Sequence, residues 1–298
     1  MARIICVGLA CLDYLFKVDK LPAGGGKVFA DSYMAAPGGP AAVASIAAAA
    51  LGNDAVFLGR LGNDDVGKEL TAKIANCGVD VCGVRYINGQ SSQVSSVVID
   101  QKGERQIINF SSKHLDPDPS WLPEHIIAEA DFLLTDVRWP EGAEEALRCA
   151  RRHEVPSLID ADISPIDTSK LIGLADYVVF SEGGLRMFVG QHDFEKGLQE
   201  AQLKSGSWVA VTAGEKGSYW LDEKGAISSC PAFQVKAIDT CGAGDVFHGA
   251  FAVALAEKME IDQAMRFAGV TASLKCLTFG GSLGTPDRQT VDAFLKEK

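Results

Sequence analysis

Apolar residues come in short unbroken runs separated by longer stretches with a helical period. Segments 4–9, 55–58, 132–135, 157–160, 177–180 and 208–212 have strand length and no polar alternation. Between them, 41–51, 67–77, 143–153 and 195–204 repeat their apolar positions as a helix does. A strand that is apolar at every position is covered on both faces, and its alternation with helices makes the pairing mostly parallel. The pattern therefore predicts an α/β fold over 1–298 as a single unit. Ligands bind such sheets beyond the carboxyl ends of the strands.

Two segments break the alternation. Residues 11–35 and 90–111 are β-like, partly polar and without a helical period. They predict antiparallel strands projecting as a small lid over the sheet's carboxyl edge, where closure excludes water from a reactive group. A surface hairpin or a dimer contact fits the same pattern.

The richest local signal is Asp239-Thr240-Cys241-Gly242-Ala243-Gly244-Asp245, between a strand-like run at 233–238 and a helix-like run at 246–259. A glycine turn opening a helix presents free N–H groups at the positive end of the helix dipole, where an anion settles. Asp245 falls in the first turn, placed to take a proton from a hydroxyl lying against that cradle. An ordinary N-cap is the plainer reading of the same acid. A second glycine pair, Gly38-Gly39, precedes the alanine-rich helix and permits close backbone approach, suited to a sugar hydroxyl or to a plain turn. Asp13 follows the first strand, where a carboxylate either accepts two neighbouring hydroxyls of a polyol or shapes a turn.

Composition narrows the ligand. The 298 residues carry a net charge of -11 with 22% charged and 47% hydrophobic residues. This argues against nucleic acid or an anionic membrane as partner, so any anionic ligand needs local donors. No apolar run has membrane-spanning length, and the eight cysteines form no C-x-x-C pair. A cytoplasmic setting with reduced thiols is expected. The five histidines are dispersed and read as structural or surface residues. Gly8 is not followed by G-x-G-x-x-G, which removes a dinucleotide-binding fingerprint.

Gly38-Gly39, the stretch from Gly59 through Arg60, Leu61, Gly62, Asn63, Asp64, Asp65 and Val66 to Gly67, and the DTCGAGD turn occur in that order. Together they resemble the ribokinase-like (PfkB-type) carbohydrate kinases over essentially the whole chain. The resemblance implies a three-layer α/β/α sandwich with a mostly parallel central sheet and a β-strand lid. It also implies ATP and Mg2+, with Asp245 as catalytic base and the amides of Gly242, Ala243 and Gly244 as anion hole. Asp13, Gly38 and Gly39 correspond to sugar contacts. Thr212, Gly214, Gly217, Gly244 and Lys275 correspond to nucleotide contacts. Many family members carry Asn-x-x-Glu where this chain has Ser181-Glu182-Gly183-Gly184, so the protein ligands of the metal are left open. Glu182 is either a substitute or a helix N-terminal acid.

Three further groups make an anion site away from the phosphoryl cradle. Arg138 follows a strand end, Asn109 shares a strand face with Arg105 and Ile107, and Lys27 follows three glycines. Arg138 can equally pair with Asp136 or Asp162, and Lys27 can be a solvated lysine. Around these positions the chain resembles the members of that family that act on a sulfonated ketose. This resemblance implies Lys27, Asn109 and Arg138 on the sulfonate, and transfer to a C1 hydroxyl. Exposed lid edges point to a homodimer through the lid strands.

Overall fold

The computed structural model describes residues 1–112, 115–190 and 193–297. In chain order the strands are β1 (Arg3–Gly8), β2 (Cys11–Lys17), β3 (Ser32–Gly38), β4 (Asp54–Gly62), β5 (Asp80–Ile87), β6 (Val94–Ile99), β7 (Arg105–Phe110), β8 (Phe132–Asp136), β9 (Ser157–Ala161), β10 (Tyr177–Ser181), β11 (Trp208–Thr212), β12 (Ser218–Leu221) and β13 (Ile227–Cys230). Nine of them form the central sheet in the order β13-β12-β11-β10-β9-β8-β1-β4-β5. All its pairings are parallel except those of β12 with β11 and β13. The parallel strands other than β5 are the apolar runs of the sequence, and β8 and β9 are buried at every position.

Side-chain alternation along these strands feeds two cores, one on each face. Ile4, Cys6, Leu134, Leu158 and Val179 face one layer, with Ala44, Phe251 and Ala268 from the helices. Ile5, Val7, Leu133, Ile159 and Val178 face the other, with Ala143, Leu147 and Leu198. The three-layer sandwich follows. The alanine run forms the helix Pro40–Ala50, which packs on the helix Ala243–Ala256. Small side chains let the two backbones approach closely.

The lid is a four-stranded sheet ordered β3-β2-β6-β7. Its outer pairs are antiparallel, but β2 and β6 run parallel, which corrects the all-antiparallel expectation. The two lid segments enter from the same end because the parallel strands β1 and β5 both deliver the chain to the sheet's carboxyl edge. Asp64 fixes the second entry: it caps the helix Asp65–Asn76 through the Gly67 amide at 2.8 Å and takes the Ser92 amide at 2.8 Å. A second correction concerns 233–238, which joins neither sheet although its residues alternate between exposed and half-buried. No helix among the described residues is long and apolar enough to cross a membrane.

A Cβ at Gly249 would lie 2.4 Å from the carbonyl oxygen of Ala44. Gly249→Ala is therefore expected to lose about 1–3 kcal/mol by overpacking. Urea denaturation reads this directly, and an unchanged midpoint would mean that the two helices can separate freely.

Candidate active site

The Ala243–Ala256 helix packs against β1, β8 and β9, Asp245 in its first turn lies beside Asp160 near the carboxyl end of β9, and the lid reaches the preceding turn through Arg105. Gly242 caps that helix in the left-handed region at φ 76°, with no side-chain cap. The Ala243 amide reaches the Thr240 carbonyl at 3.3 Å, while those of Gly242 and Gly244 have no protein partner among the described residues. A Cβ on Gly244 would meet nothing within 4 Å, so the backbone there is open to a ligand. The turn is an anion cradle by construction.

Asp245 is half-buried in the first turn. Burial, with the nearby charges of Asp160, Asp13 and Asp136, pushes its carboxyl up to about 7, against the opposing pull of His248. The electrostatic link to Asp13 brings the predicted base and the predicted sugar acid into one acidic cleft. Asp13 is buried on β2 beside Gly38, where any Cβ would stand 2.1 Å from its Oδ2. Burial raises the Asp13 carboxyl, although the Cys11 thiol donates to it at 3.2 Å.

Gly39 serves the same local purpose: its φ is 91°, and a Cβ would lie 2.5 Å from the Leu9 carbonyl. The pair Gly38-Gly39 thus makes room for protein groups, Asp13 and the β1–β2 turn. Asp136 organises that corner. Its carboxylate is fully buried and accepts from the amides of Leu9 at 2.8 Å, Ala41 at 3.1 Å and Arg138 at 2.8 Å. Burial drives it up to about 6 even so.

Register settles the face of Asn109. Ala36, Asp13, Ser95 and Asn109 form one row across the lid, so Asn109 lies on the same face as Asp13. Arg105 is on that face too and donates to the Thr240 hydroxyl at 2.7 Å. Arg138 binds Asp162 at 2.5 Å and the Ile163 carbonyl at 2.7 Å, the pairing that its sequence context left open. Lys27 is exposed in the loop between β2 and β3. No hydrogen bond or ion pair joins Lys27, Asn109 and Arg138 among the described residues.

On the nucleotide side, Thr212 ends β11 and its hydroxyl reaches the Phe180 carbonyl at 3.4 Å. Gly214 is open, whereas a Cβ on Gly217 would lie 2.1 Å from the Cys230 carbonyl, so Gly217 serves the β12–β13 approach. Lys275 departs furthest from its expected place. Its side chain is fully buried and its ammonium donates to the Asp239 carbonyl at 2.9 Å. Glu182 is a first-turn acid, paired with Arg186 at 3.5 Å and Lys216 at 3.6 Å.

Among the histidines, read as structural or surface residues, His248 stands beside the candidate base. Its ring is buried one turn beyond Asp245, with Nδ1 at 3.1 Å from Asp160 Oδ2. Burial opposes its protonation, yet Asp160 and Asp245 together raise its pKa. Spacing of three from Asp245 on a helix was the available signal. Donor atoms of Asp160, Asp245 and His248 all lie within 4.8 Å of one another. His114 and His192 lie outside the described residues.

Comparison with known proteins agrees with this geometry. The pfkB family carbohydrate kinase model matches residues 1–288. The chain is 29% identical over 300 residues to a ribokinase of Bacillus subtilis (strain 168), covering 99% of this chain and 100% of that one. It is 27% identical to an ATP-dependent ribose-1-phosphate kinase of Halopiger xanaduensis, over 100% and 99% of the two chains. The crystal structure of a candidate ribokinase from Agrobacterium tumefaciens superposes with a TM-score of 0.96 at 34% identity, covering 99% and 98%. Arabidopsis thaliana ribokinase complexed with ribose and ATP gives 0.82 at 26% identity, with 99% of each chain covered.

Asp245 holds its proton more tightly in the folded chain than in the unfolded one, where an aspartate titrates near its model value of 3.8. Its contribution to stability is therefore full below that value and lost as pH rises through about 7. Asp245→Asn is expected to raise Tm over the parent chain at about pH 8 and to lose most of that advantage at about pH 4. A difference independent of pH would mean that the carboxyl is not perturbed.

Proposed function

The chain belongs to the pfkB family of carbohydrate kinases, and from that premise we propose that it transfers the terminal phosphoryl group of ATP to the C1 hydroxyl of 6-deoxy-6-sulfofructose. The product is 6-deoxy-6-sulfofructose 1-phosphate. One observation carries the transfer chemistry: the free amides of Gly242 and Gly244 share a helical turn with a carboxylate poised near neutrality. Asp13 takes sugar hydroxyls, and Asp245 takes the C1 proton as the oxygen–phosphorus bond forms. The bond between the β-γ bridging oxygen and the terminal phosphorus breaks, and ADP leaves with that electron pair. The cradle amides meet the charge on the transferring group, which is mostly a positioning and electrostatic task.

Thr212, Gly214 and Gly244 are the nucleotide contacts of this reading. Mg2+ supplies charge neutralisation on the phosphates. Asp160 and Asp162, at the end of β9, offer the hard oxygen donors that would hold it through water, while the nitrogen of His248 does not suit it.

The sulfonate is assigned to Lys27, Asn109 and Arg138. The guanidinium keeps donors beyond those given to Asp162 and Ile163. One Arg, one Lys and one amide suit a single negative charge better than the nearly double charge of a phosphate monoester. An uncharged pentose is the second reading, favoured by the ribokinase names of the relatives and by the tie of Arg138 to Asp162. A homodimer through the lid is part of the proposal. It is supported by the exposed edge strand β7, where Ile108 and Phe110 are 69% and 51% accessible. A monomeric mass by light scattering would remove it.

ATP consumption with sulfofructose, fructose 6-phosphate, fructose, ribose and 2-keto-3-deoxygluconate tests the substrate. The highest kcat/KM is expected for sulfofructose, and Arg138→Gln should lower it roughly 10- to 100-fold while sparing fructose. Faster turnover of fructose 6-phosphate or ribose than of sulfofructose discards the assignment and leaves the kinase.

A further inference from the structure

A buried lysine stands just beneath the anion cradle, and the transfer step above does not use it. Lys275 ends the helix Ile261–Lys275, and its side chain has no accessible surface. Its ammonium donates to the Asp239 carbonyl at 2.9 Å and lies 3.6 Å from Asp239 Oδ1. The same carboxylate accepts the Cys241 amide at 2.8 Å on Oδ1 and the amides of Gly280 at 3.0 Å and Gly281 at 2.8 Å on Oδ2. The amides of Ile238 and Asp239 both bond to the Cys276 carbonyl, at 2.7 Å and 3.2 Å. One small cation is thus surrounded by oxygens of the very residue that begins the cradle.

An ammonium withdrawn from water is costly, and only well-placed oxygens offset that cost. A neutral side chain of the same length would fill the space equally well, so packing does not explain the charge. The charge does two things that packing cannot. It holds the Asp239 carbonyl and carboxylate together, and these set the start of the turn three residues before Gly242. It also adds positive potential behind the free amides of Gly242 and Gly244.

We propose that Lys275 is a positioning residue, a tethered internal cation that holds the anion-binding turn in its working geometry. This rests on the phosphoryl-transfer reading of that turn, but not on which sugar is the acceptor. The lysine touches neither sugar nor nucleotide. Its effect travels through Asp239 and one main-chain turn. A small free cation of similar size can then stand in for the ammonium once the tether is cut away.

The test compares Lys275→Met, which keeps volume and removes charge, with Lys275→Ala, which leaves space. The acceptor is whichever sugar the parent enzyme turns over fastest. Lys275→Met is expected to lose kcat about 10²-fold, as a misplaced cradle would, with the sugar KM little changed. Ammonium chloride should restore part of the kcat of Lys275→Ala, whereas tetramethylammonium chloride at equal ionic strength should not, and the parent should respond to neither. Should Lys275→Ala fold poorly, or the parent turn over none of the sugars, its melting temperature in the two salts replaces kcat. A rise specific to ammonium supports the tethered cation. Parent-like kcat in Lys275→Met overturns the proposal, as does a Lys275→Ala protein that ammonium leaves unchanged in both readouts.

Discussion

The site depends on one buried carboxylate, that of Asp239. A turn that leaves amide groups free for a ligand cannot hold itself together, because those amides are the groups that would otherwise bond within it. Asp239 supplies the missing restraint from below: its oxygens take amides from Cys241, Gly280 and Gly281, and its carbonyl takes Lys275. Breaking one partner of such a buried pair typically costs about 3–5 kcal/mol, so the turn is as rigid as the core around it. The lid grips the next residue. Thr240 donates its hydroxyl to the Gly103 carbonyl at 3.1 Å and accepts from Arg105. Cradle and lid tip therefore meet at adjacent residues of one turn.

Above that staple the chain gathers acids rather than dispersing them. Burial raises the proton affinity of Asp13, Asp136 and Asp245, and the charge of Asp160 adds to the rise at Asp136 and Asp245. A protein designed for stability alone would not do this. The crowding leaves Asp245 with a carboxyl near neutrality, and His248 between Asp160 and Asp245 keeps it from rising more. An anionic ligand entering such a cleft is repelled by its walls. Neutral donors at the helix start and cations at the rim are the groups that can hold it.

The central sheet was legible because its strands are buried on both faces and so appear as unbroken apolar runs. Strand β5 was not, since it is an edge strand with none of its residues fully buried, and its polar alternation with Gly83 resembles a loop. The run at 233–238 misled in the opposite sense: it alternates like a strand, but no neighbour offers it a ladder. Parallel pairing of β2 with β6 joins segments about eighty residues apart, and local pattern contains nothing about such partners. Asp245 and its turn were legible as a motif. Lys275 was expected at the nucleotide through the family resemblance, and a sequence does not show that the last turn aims its side chain inward at Asp239.

The glycines show that one letter can serve two different local ends. At Gly38, Gly39, Gly62, Gly67 and Gly217 a Cβ would stand within 2.6 Å of the protein's own atoms. Those residues let one part of the chain approach another. At Gly214 and Gly244 nothing lies within 4 Å, and at Gly242 the nearest atom is 3.5 Å away. A ligand needs that open space to reach a backbone amide. The crowded glycines shape the walls around Asp13 and the lid entry, and the open ones leave free space beside the backbone. The two kinds look alike as letters, since both answer to the absence of a side chain. What separates them is whether the freed volume is already occupied, and that is a property of the folded chain.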